Sequence, residues 1–358
     1  MENHSSILVI HPRDNVAVAL KDLCNGGEII PAGHKVALDE IQEGENIIKY
    51  GYPIGHATRN ILPGEHVHTH NISSNLKGLQ EYKYVPTLHS LKPVPESYFM
   101  GYVRENGSVG IRNEIWIINT VGCVNKTAEI IAREANQRFA GQTGGIFTFP
   151  HPFGCSQLGD DHISTQKILS GLAAHPNAAG VLVLGLGCEN NNIDEFKKIL
   201  GQYDEKRVKF LETQKTEDEI GGALSLIDEL VKHSHTYKRQ RCPVSMLVAG
   251  FKCGGSDSFS GITANPLVGV FSDILIRSGG TAILTEVPEM FGAEPVLAGR
   301  CGSEAVFNST MKLINSYKEY YIKHGQEIYE NPSPGNKAGG ISTLEEKSLG
   351  CVQKGGSG

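Results

Sequence analysis

The 358-residue chain reads as an α/β protein: a small N-terminal all-β domain followed by Rossmann-like α/β layered domains, the last one incomplete. Three observations predict this. Residues 1–72 are short runs broken every few positions by turn signals, with little helical periodicity. From residue 98 onward, β-type apolar runs alternate with segments of helical period, the pattern of repeated βα units and parallel sheets. Five of the runs, 115–123, 144–155, 181–189, 244–253 and 281–286, stop at a glycine-flanked cysteine or an acidic turn. In open parallel sheets, reactive side chains gather in the crevice outside the carboxyl ends of the strands, so these cysteines and carboxylates are expected to converge.

In chain order, short strands are expected at 6–10, 28–30, 35–37, 46–50, 54–55 and 66–71, with Pro31-Ala32-Gly33 and Pro63-Gly64-Glu65 as turns ahead of strands. Val16, Leu20 and Leu23 share one helical face, which predicts a helix over 15–24. Residues 73–97 carry three prolines without periodicity and read as an extended linker. Over 98–240, strands at 115–121, 146–149 and 181–186 are each followed by a helix, at 126–139, 161–174 and 192–200. The charged stretch 232–241 separates a third unit, 241–358, with strands at 244–249 and 281–284 and helices at 266–278 and 303–323. After Tyr329 the glycines and prolines predict that regular structure fades. Two clear strands make a poor doubly wound sheet, so the chain is expected to be a fragment.

A net charge of −6 provides no basic footprint for nucleic acid and no polybasic membrane patch. No run approaches the roughly 18 apolar residues of a membrane span, and the N-terminus lacks signal-peptide character. The eight cysteines include no CxxC pair, so zinc-ribbon and thioredoxin-like readings fail. A reduced, cytoplasmic small-molecule enzyme is the expectation.

Four constellations could carry chemistry. His66, His68 and His70 alternate, so a strand would put all three imidazoles on one face, suited to a metal or an anion; solvated histidines on an exposed strand are the plain alternative. His151, Cys155 and Gln157 crowd one loop ahead of His162, where Asp160 and Asp161 are accounted for as helix caps. Cys188, Glu189, Asn190 and Asn191 follow a buried strand and offer a thiol, a carboxylate and two amides, suited to the hydroxyls of a polyol; capping accounts for one of the asparagines. Cys253, Ser256 and Asp257 flank a Gly-Gly pair that permits close backbone approach to a ligand, although a capped turn would look the same. Glu286 ends a strand as a candidate base or ligand, and Lys337 is a cation in a glycine-rich loop or simply a surface lysine.

These strings resemble a known family. Val67-His68-Thr69-His70-Asn71, Gly154-Cys155-Ser156-Gln157-Leu158-Gly159-Asp160-Asp161-His162, Gly187-Cys188-Glu189-Asn190-Asn191, Cys253-Gly254-Gly255-Ser256-Asp257 and Glu286-Val287-Pro288-Glu289-Met290-Phe291-Gly292 are together similar to the altronate/galactarate dehydratase family, and the likeness extends to Thr343-Leu344-Glu345-Glu346-Lys347. The resemblance implies an N-terminal SAF domain with a β-clip-like fold over 1–72, a second α/β domain over 98–240, and a C-terminal α/β domain over 241–358 that continues further in full-length members.

It also implies removal of water from a sugar acid in hexuronate catabolism, altronate giving 2-dehydro-3-deoxy-D-gluconate, with galactarate as the alternative and Fe2+ or Mn2+ as cofactor. A base at C2, a cation for the enediolate and an acid for the departing hydroxyl are then needed. On motif position, His66 and His68 with Cys188 or Glu189 hold the metal. His151 or His162 is the acid/base, with Glu286 and Lys337 in reserve. Cys155, Gln157, Asn190, Asn191, Cys253, Ser256 and Asp257 contact substrate. A sugar acid is the expected partner, and a homodimer is an assembly the chain allows. The rival readings are an iron–sulfur dehydratase using Cys155, Cys188 and Cys253, and a non-catalytic sugar-acid binding fragment.

Overall fold

The computed structural model describes residues 6–87, 92 and 94–357. The chain divides into two units, one made of Met1–Glu96 with Leu247–Gly358 and the other of Ser97–Met246.

In the first unit, the N-terminal part is entirely β: β1 (Ile7–Leu8), β2 (Val16–Ala19), β3 (Leu23–Asn25), β4 (Glu28–Ile30), β5 (Lys35–Ala37), β6 (Asn46–Lys49), β7 (Tyr52–Ala57), β8 (His66–Val67) and β9 (Ile72–Ser73). They form one sheet in the order β1-β2-β5-β8, another in the order β6-β7-β9, and the hairpin β3-β4. The helix expected over 15–24 is not there. Val16–Ala19 is a strand buried on both faces between β1 and β5, and Leu23–Asn25 turns back on β4. Three apolar residues at helical spacing lose to a Val-Ala-Val-Ala run that sheet pairing buries completely.

The second unit contains β10 (Tyr98–Val103), β11 (Val109–Gly110), β12 (Glu114–Asn119), α1 (Asn125–Arg138), β13 (Ile146–Thr148), α2 (Gly159–Ala174), β14 (Ala178–Gly185), α3 (Ile193–Leu200), β15 (Val208–Glu212), α4 (Glu219–Ser234) and β16 (Arg239–Pro243). Strands β13-β12-β14-β15 form a parallel sheet. Alternation along β12 sends Ile115 and Ile117 to the face covered by Ile131 of α1 and Ile227 of α4, and Trp116 and Ile118 to the face covered by Leu169 of α2 and Phe196 of α3. Burial on both faces explains why these strands read as continuous apolar runs. The charged stretch over 232–241 is no separator: Arg239–Pro243 pairs antiparallel with β10, inside this unit. Its arginines lie on the exposed side while Cys242 is buried.

The C-terminal part of the first unit contains β17 (Val248–Phe251), α5 (Ala264–Arg277), β18 (Thr281–Leu284), α6 (Glu294–Gly299), α7 (Glu304–Lys323), α8 (Pro334–Ala338) and α9 (Leu344–Cys351). Strands β17 and β18 are parallel. The expectation that structure fades after Tyr329 fails at α9, in which all eight residues are buried. A helix buried all round shows no amphipathic stripe. Thr343, which caps it by accepting from the Glu346 amide, was the available signal. Leu349 joins Ile47, Ile54 and Ile61 of the N-terminal strands in one core, and Leu344 joins Phe291, Phe307 and Ile314 in another. No described helix is long and apolar enough to cross a membrane.

Candidate functional site

Within the first unit, strand pairing assembles a histidine cluster. Register Val36 to His66 and Lys35 to Val67 brings His34, just ahead of β5, against β8. His34 Nδ1 lies 3.0 Å from His66 Nε2, and the His34 and His68 rings are 4.7 Å apart. One nitrogen from each of His34, His66 and His68 lies within 4.8 Å of the others. The strand stops at Val67. Asn71 folds the next residues into a turn, accepting from the His68 amide and donating to the His66 carbonyl, so alternation does not carry on to His70, whose exposed ring stands 5.3 Å from His66. His34, absent from the sequence reading, supplies the third nitrogen.

Burial, mutual repulsion and the nearby Lys35 ammonium disfavour protonation throughout. The His66 imidazole is pushed down to about 4 and His68 to about 3, and His34 is lowered as well, chiefly by burial. Neutral imidazoles with free lone pairs are what a borderline divalent cation takes as ligands. The end of α8 and the loop after it back the cluster: the Ala338 carbonyl is 3.1 Å from His34 Nε2 and Ser342 Oγ is 3.0 Å from His68 Nδ1. Gly340, at φ 93°, lets that loop approach, because a Cβ there would sit 2.5 Å from the Gly33 carbonyl oxygen.

Helix α9 ties this cluster to the C-terminal loops. Glu346 Oε2 accepts from Lys35 at 2.8 Å and Oε1 from Lys49 at 2.7 Å, with all three side chains at most 1% exposed. Lys35 also donates to the Gly340 carbonyl and Ser342 Oγ, and Lys49 to Ser258 Oγ. Burial alone would raise the Glu346 carboxyl; the two ammoniums hold it down at about 2. Burial prevails at Lys35, which falls to about 8.

The neighbouring Lys347 donates to Glu289 at 2.9 Å and to Asn331 and Asn336. Glu289 is bracketed by two thiols, Cys253 Sγ at 3.1 Å and Cys351 Sγ at 3.4 Å. Burial and the adjacent carboxylates push Cys253 up to about 11, and burial and Glu289 push Cys351 up to about 12. Glu286, at the carboxyl end of β18, sits at φ 64°, a strained position for a residue with a Cβ. Its carboxylate accepts from the Cys253 amide at 2.7 Å and pairs with Lys252 at 3.2 Å. Burial works against its charge, yet those two donors hold its carboxyl below the usual range. Asp257 Oδ1 caps the turn at Ser260, and the Ser256 carbonyl accepts from Asn336. Lys337 is half-buried in the last turn of α8.

In the second unit, the sheet order makes β12 and β14 neighbours whose loops leave in different directions, the switch point at which open α/β sheets bind ligands. The loops after β12, β13 and β14 meet there. Glu189 accepts from Thr120 Oγ1 and from the Leu186 and Gly187 amides, so both carboxylate oxygens are engaged within the second unit. Asn191 is buried between Gln166 and the Thr120 carbonyl. Asn190 donates from its backbone to the Cys155 carbonyl and from its side chain to the Gln157 carbonyl. His151 has Nε2 3.0 Å from the Asn119 carbonyl and accepts from the Phe153 amide at Nδ1. His162 lies in the first turn of α2, and Cys188 is exposed, 3.8 Å from Gln214 Nε2.

The structure therefore brings His66 and His68 together with His34, and Cys253 with Glu286. It keeps Cys155, Gln157, Cys188 to Asn191, His151 and His162 in the other unit. Glu189→Ala is expected to leave two loop amides without acceptors and to lower the unfolding free energy by roughly 2–3 kcal/mol. An unchanged urea midpoint would show that the carboxylate does not anchor this loop.

Known protein families match the chain in three consecutive segments. Residues 5–75 match the altronate/galactarate dehydratase SAF domain, 101–235 the second domain of D-galactarate dehydratase/altronate hydrolase, and 244–358 the C-terminal region of D-galactarate/altronate dehydratase. The altronate dehydratase of Bacillus subtilis strain 168 is 51% identical over 98% of this chain and 74% of its own length. That of Escherichia coli K12 is 49% identical over 97% of this chain and 73% of its own. The galactarate dehydratase (L-threo-forming) of Escherichia coli K12 is 33% identical over 97% of this chain and 72% of its own. With three family domains in order and identity of a third to a half across almost all of its residues, the chain belongs to the altronate/galactarate dehydratase family.

Proposed function

We propose that the chain is a hydro-lyase that removes water from altronate to yield 2-dehydro-3-deoxy-D-gluconate. The observation that carries the substrate choice is the contrast between 49–51% identity to two altronate dehydratases and 33% to a galactarate dehydratase, all over at least 97% of the chain. Eight free thiols fit a reduced cytoplasmic setting.

The divalent cation implied by the family, iron or manganese, is assigned to His34, His66 and His68. The fit rests on three neutral imidazoles whose nitrogens lie within 4.8 Å of one another. When bound, such a cation supplies a Lewis acid that offsets negative charge on substrate oxygens.

The remaining work falls to the chain itself. Glu286 is our candidate for accepting the C2 proton: its carboxylate is kept ionised at the carboxyl end of β18, and its left-handed backbone aims it from a strained position. Cys253 and Cys351 stay protonated and hold Glu289 through S–H···O contacts, fixing the wall beside Glu286. In the second unit, His151 has both ring nitrogens engaged by backbone groups and is assigned to loop positioning. Gln157 and Asn190 stand in loops that Glu189 and Asn191 brace.

The test is an anaerobic assay of 2-keto acid formation from altronate and galactarate with iron(II) or manganese(II). Altronate is expected to be turned over at least about tenfold more efficiently, a difference of ~1.4 kcal/mol in transition-state stabilisation. A preference for galactarate would overturn the substrate choice. Product from neither would overturn hydro-lyase activity for this chain.

A further inference from the structure

We infer that Ser342 is a positioning residue that fixes which ring nitrogen His68 turns to the cation, and that its stretch of chain, from the end of α8 to the start of α9, makes this choice for two of the three histidines. The inference rests on the assignment of the divalent cation to His34, His66 and His68. A histidine that ligates through one ring nitrogen carries its hydrogen on the other. The group that accepts this hydrogen sets the orientation of the ring and its strength as a ligand.

For His34 the acceptor is the Ala338 carbonyl, 3.1 Å from Nε2. A carbonyl oxygen only accepts, so the hydrogen stays on Nε2 and the lone pair is on Nδ1. Nδ1 is also the nitrogen that faces the cluster, 3.0 Å from His66 Nε2. For His68 the acceptor is Ser342 Oγ, 3.0 Å from Nδ1, which leaves Nε2 for the cation. The two rings therefore ligate through different nitrogens. His66 has no comparable support: its other nitrogen, Nδ1, stands 3.7 Å from the exposed Glu28 carboxylate, beyond hydrogen-bond range.

Ser342 can serve in this way because its own surroundings are fixed. Lys35 gives its three N–H groups to the Gly340 carbonyl, Ser342 Oγ and Glu346 Oε2, each at 2.8 Å. The ammonium occupies one lone pair of the hydroxyl oxygen and leaves the other for the His68 N–H. Glu346 Oε2 also accepts from the Ser342 amide at 2.8 Å, so the backbone and the side chain of this residue are both held. Ser342 is 7% exposed and Lys35 0%, so these bonds are made inside the unit and not at its surface. The buried Lys35–Glu346 pair thereby reaches the cation through a single hydroxyl.

Manganese(II) titration of the whole chain and of two serine variants tests this. Ser342→Ala removes the acceptor and should weaken manganese binding at least about tenfold. Ser74→Ala deletes a hydroxyl of the same unit that binds Glu345 of α9, and it should leave manganese affinity unchanged. That contrast separates positioning from a general loosening of the fold. Long-range proton–nitrogen correlation spectra of the wild-type chain loaded with zinc(II) read the choice of nitrogen directly. Hydrogen is expected on Nε2 of His34 and on Nδ1 of His68. Hydrogen on Nδ1 of His34 or on Nε2 of His68 overturns the inference, whatever the variants do. Unaltered manganese affinity in Ser342→Ala overturns it too, as does an equal loss in Ser74→Ala. If His34→Ala weakens binding while Ser342→Ala does not, the cation stays with the histidines and only the role of Ser342 falls.

Discussion

Glu346→Gln is expected to destabilise the first unit by roughly 3–5 kcal/mol, the cost typical of breaking a buried ion pair by removing one partner. The carboxylate serves two ammoniums at once, one per oxygen, at a depth where none of the three groups meets water. Glutamine keeps the shape and one acceptor but leaves Lys35 and Lys49 as two like charges without a counterion. The cost should appear as a lower urea midpoint at constant m.

The acid dependence supplies a second readout. Glu346 is held at about 2, below the roughly 4.3 of an unfolded glutamate, so the unfolded chain takes up this proton first as the pH falls. Its contribution is whole above about pH 4.3 and is lost as the pH falls through about 2. The stability gap between wild type and Glu346→Gln should therefore narrow over that window. Equal midpoints at neutral pH would show that the triad does not bear on the fold. Replacing Lys35, Lys49 and Glu346 together by apolar residues of similar size is expected to recover most of the loss, since a well-packed substitute often matches a buried ion network.

His34→Ala is expected to weaken binding of manganese(II) by at least about tenfold, ~1.4 kcal/mol, measured by isothermal titration or by the spin-resonance signal of free manganese. The three nitrogens form one donor set, and deleting any member leaves two. His68→Ala should act alike. His70→Ala should not, because His70 lies within the turn that Asn71 closes and outside the set. Unaltered manganese affinity in His34→Ala would remove the metal from this cluster, whatever the activity of the variant.

How much of this could be read along the chain follows from burial. The parallel strands of the second unit were legible because both faces of the sheet are covered, which leaves continuous apolar runs with cysteine-bearing and acidic loops behind them. The N-terminal strands were legible wherever proline and glycine marked the turns. The segment over 15–24 was misread because three residues at helical spacing cannot reveal a neighbouring strand. Helix α9 was invisible because its Glu345, Glu346 and Lys347 are residue types that normally face water, and here all three are buried with partners. The histidine cluster was half legible: His66 and His68 are two residues apart, but His34 joins them through the register of β5 on β8.

The sequence by itself determined the family, the α/β class and the loops in which thiols, amides and carboxylates collect, because strand periodicity, glycine placement and motif strings are local properties of the chain. Tertiary structure alone decided that Glu189 spends its carboxylate on its own loop, that His34 completes the nitrogen set, and that two lysines from the N-terminal strands close on one glutamate of α9. Each of these turns on which groups lose water together, and desolvation is set by residues far apart in the chain.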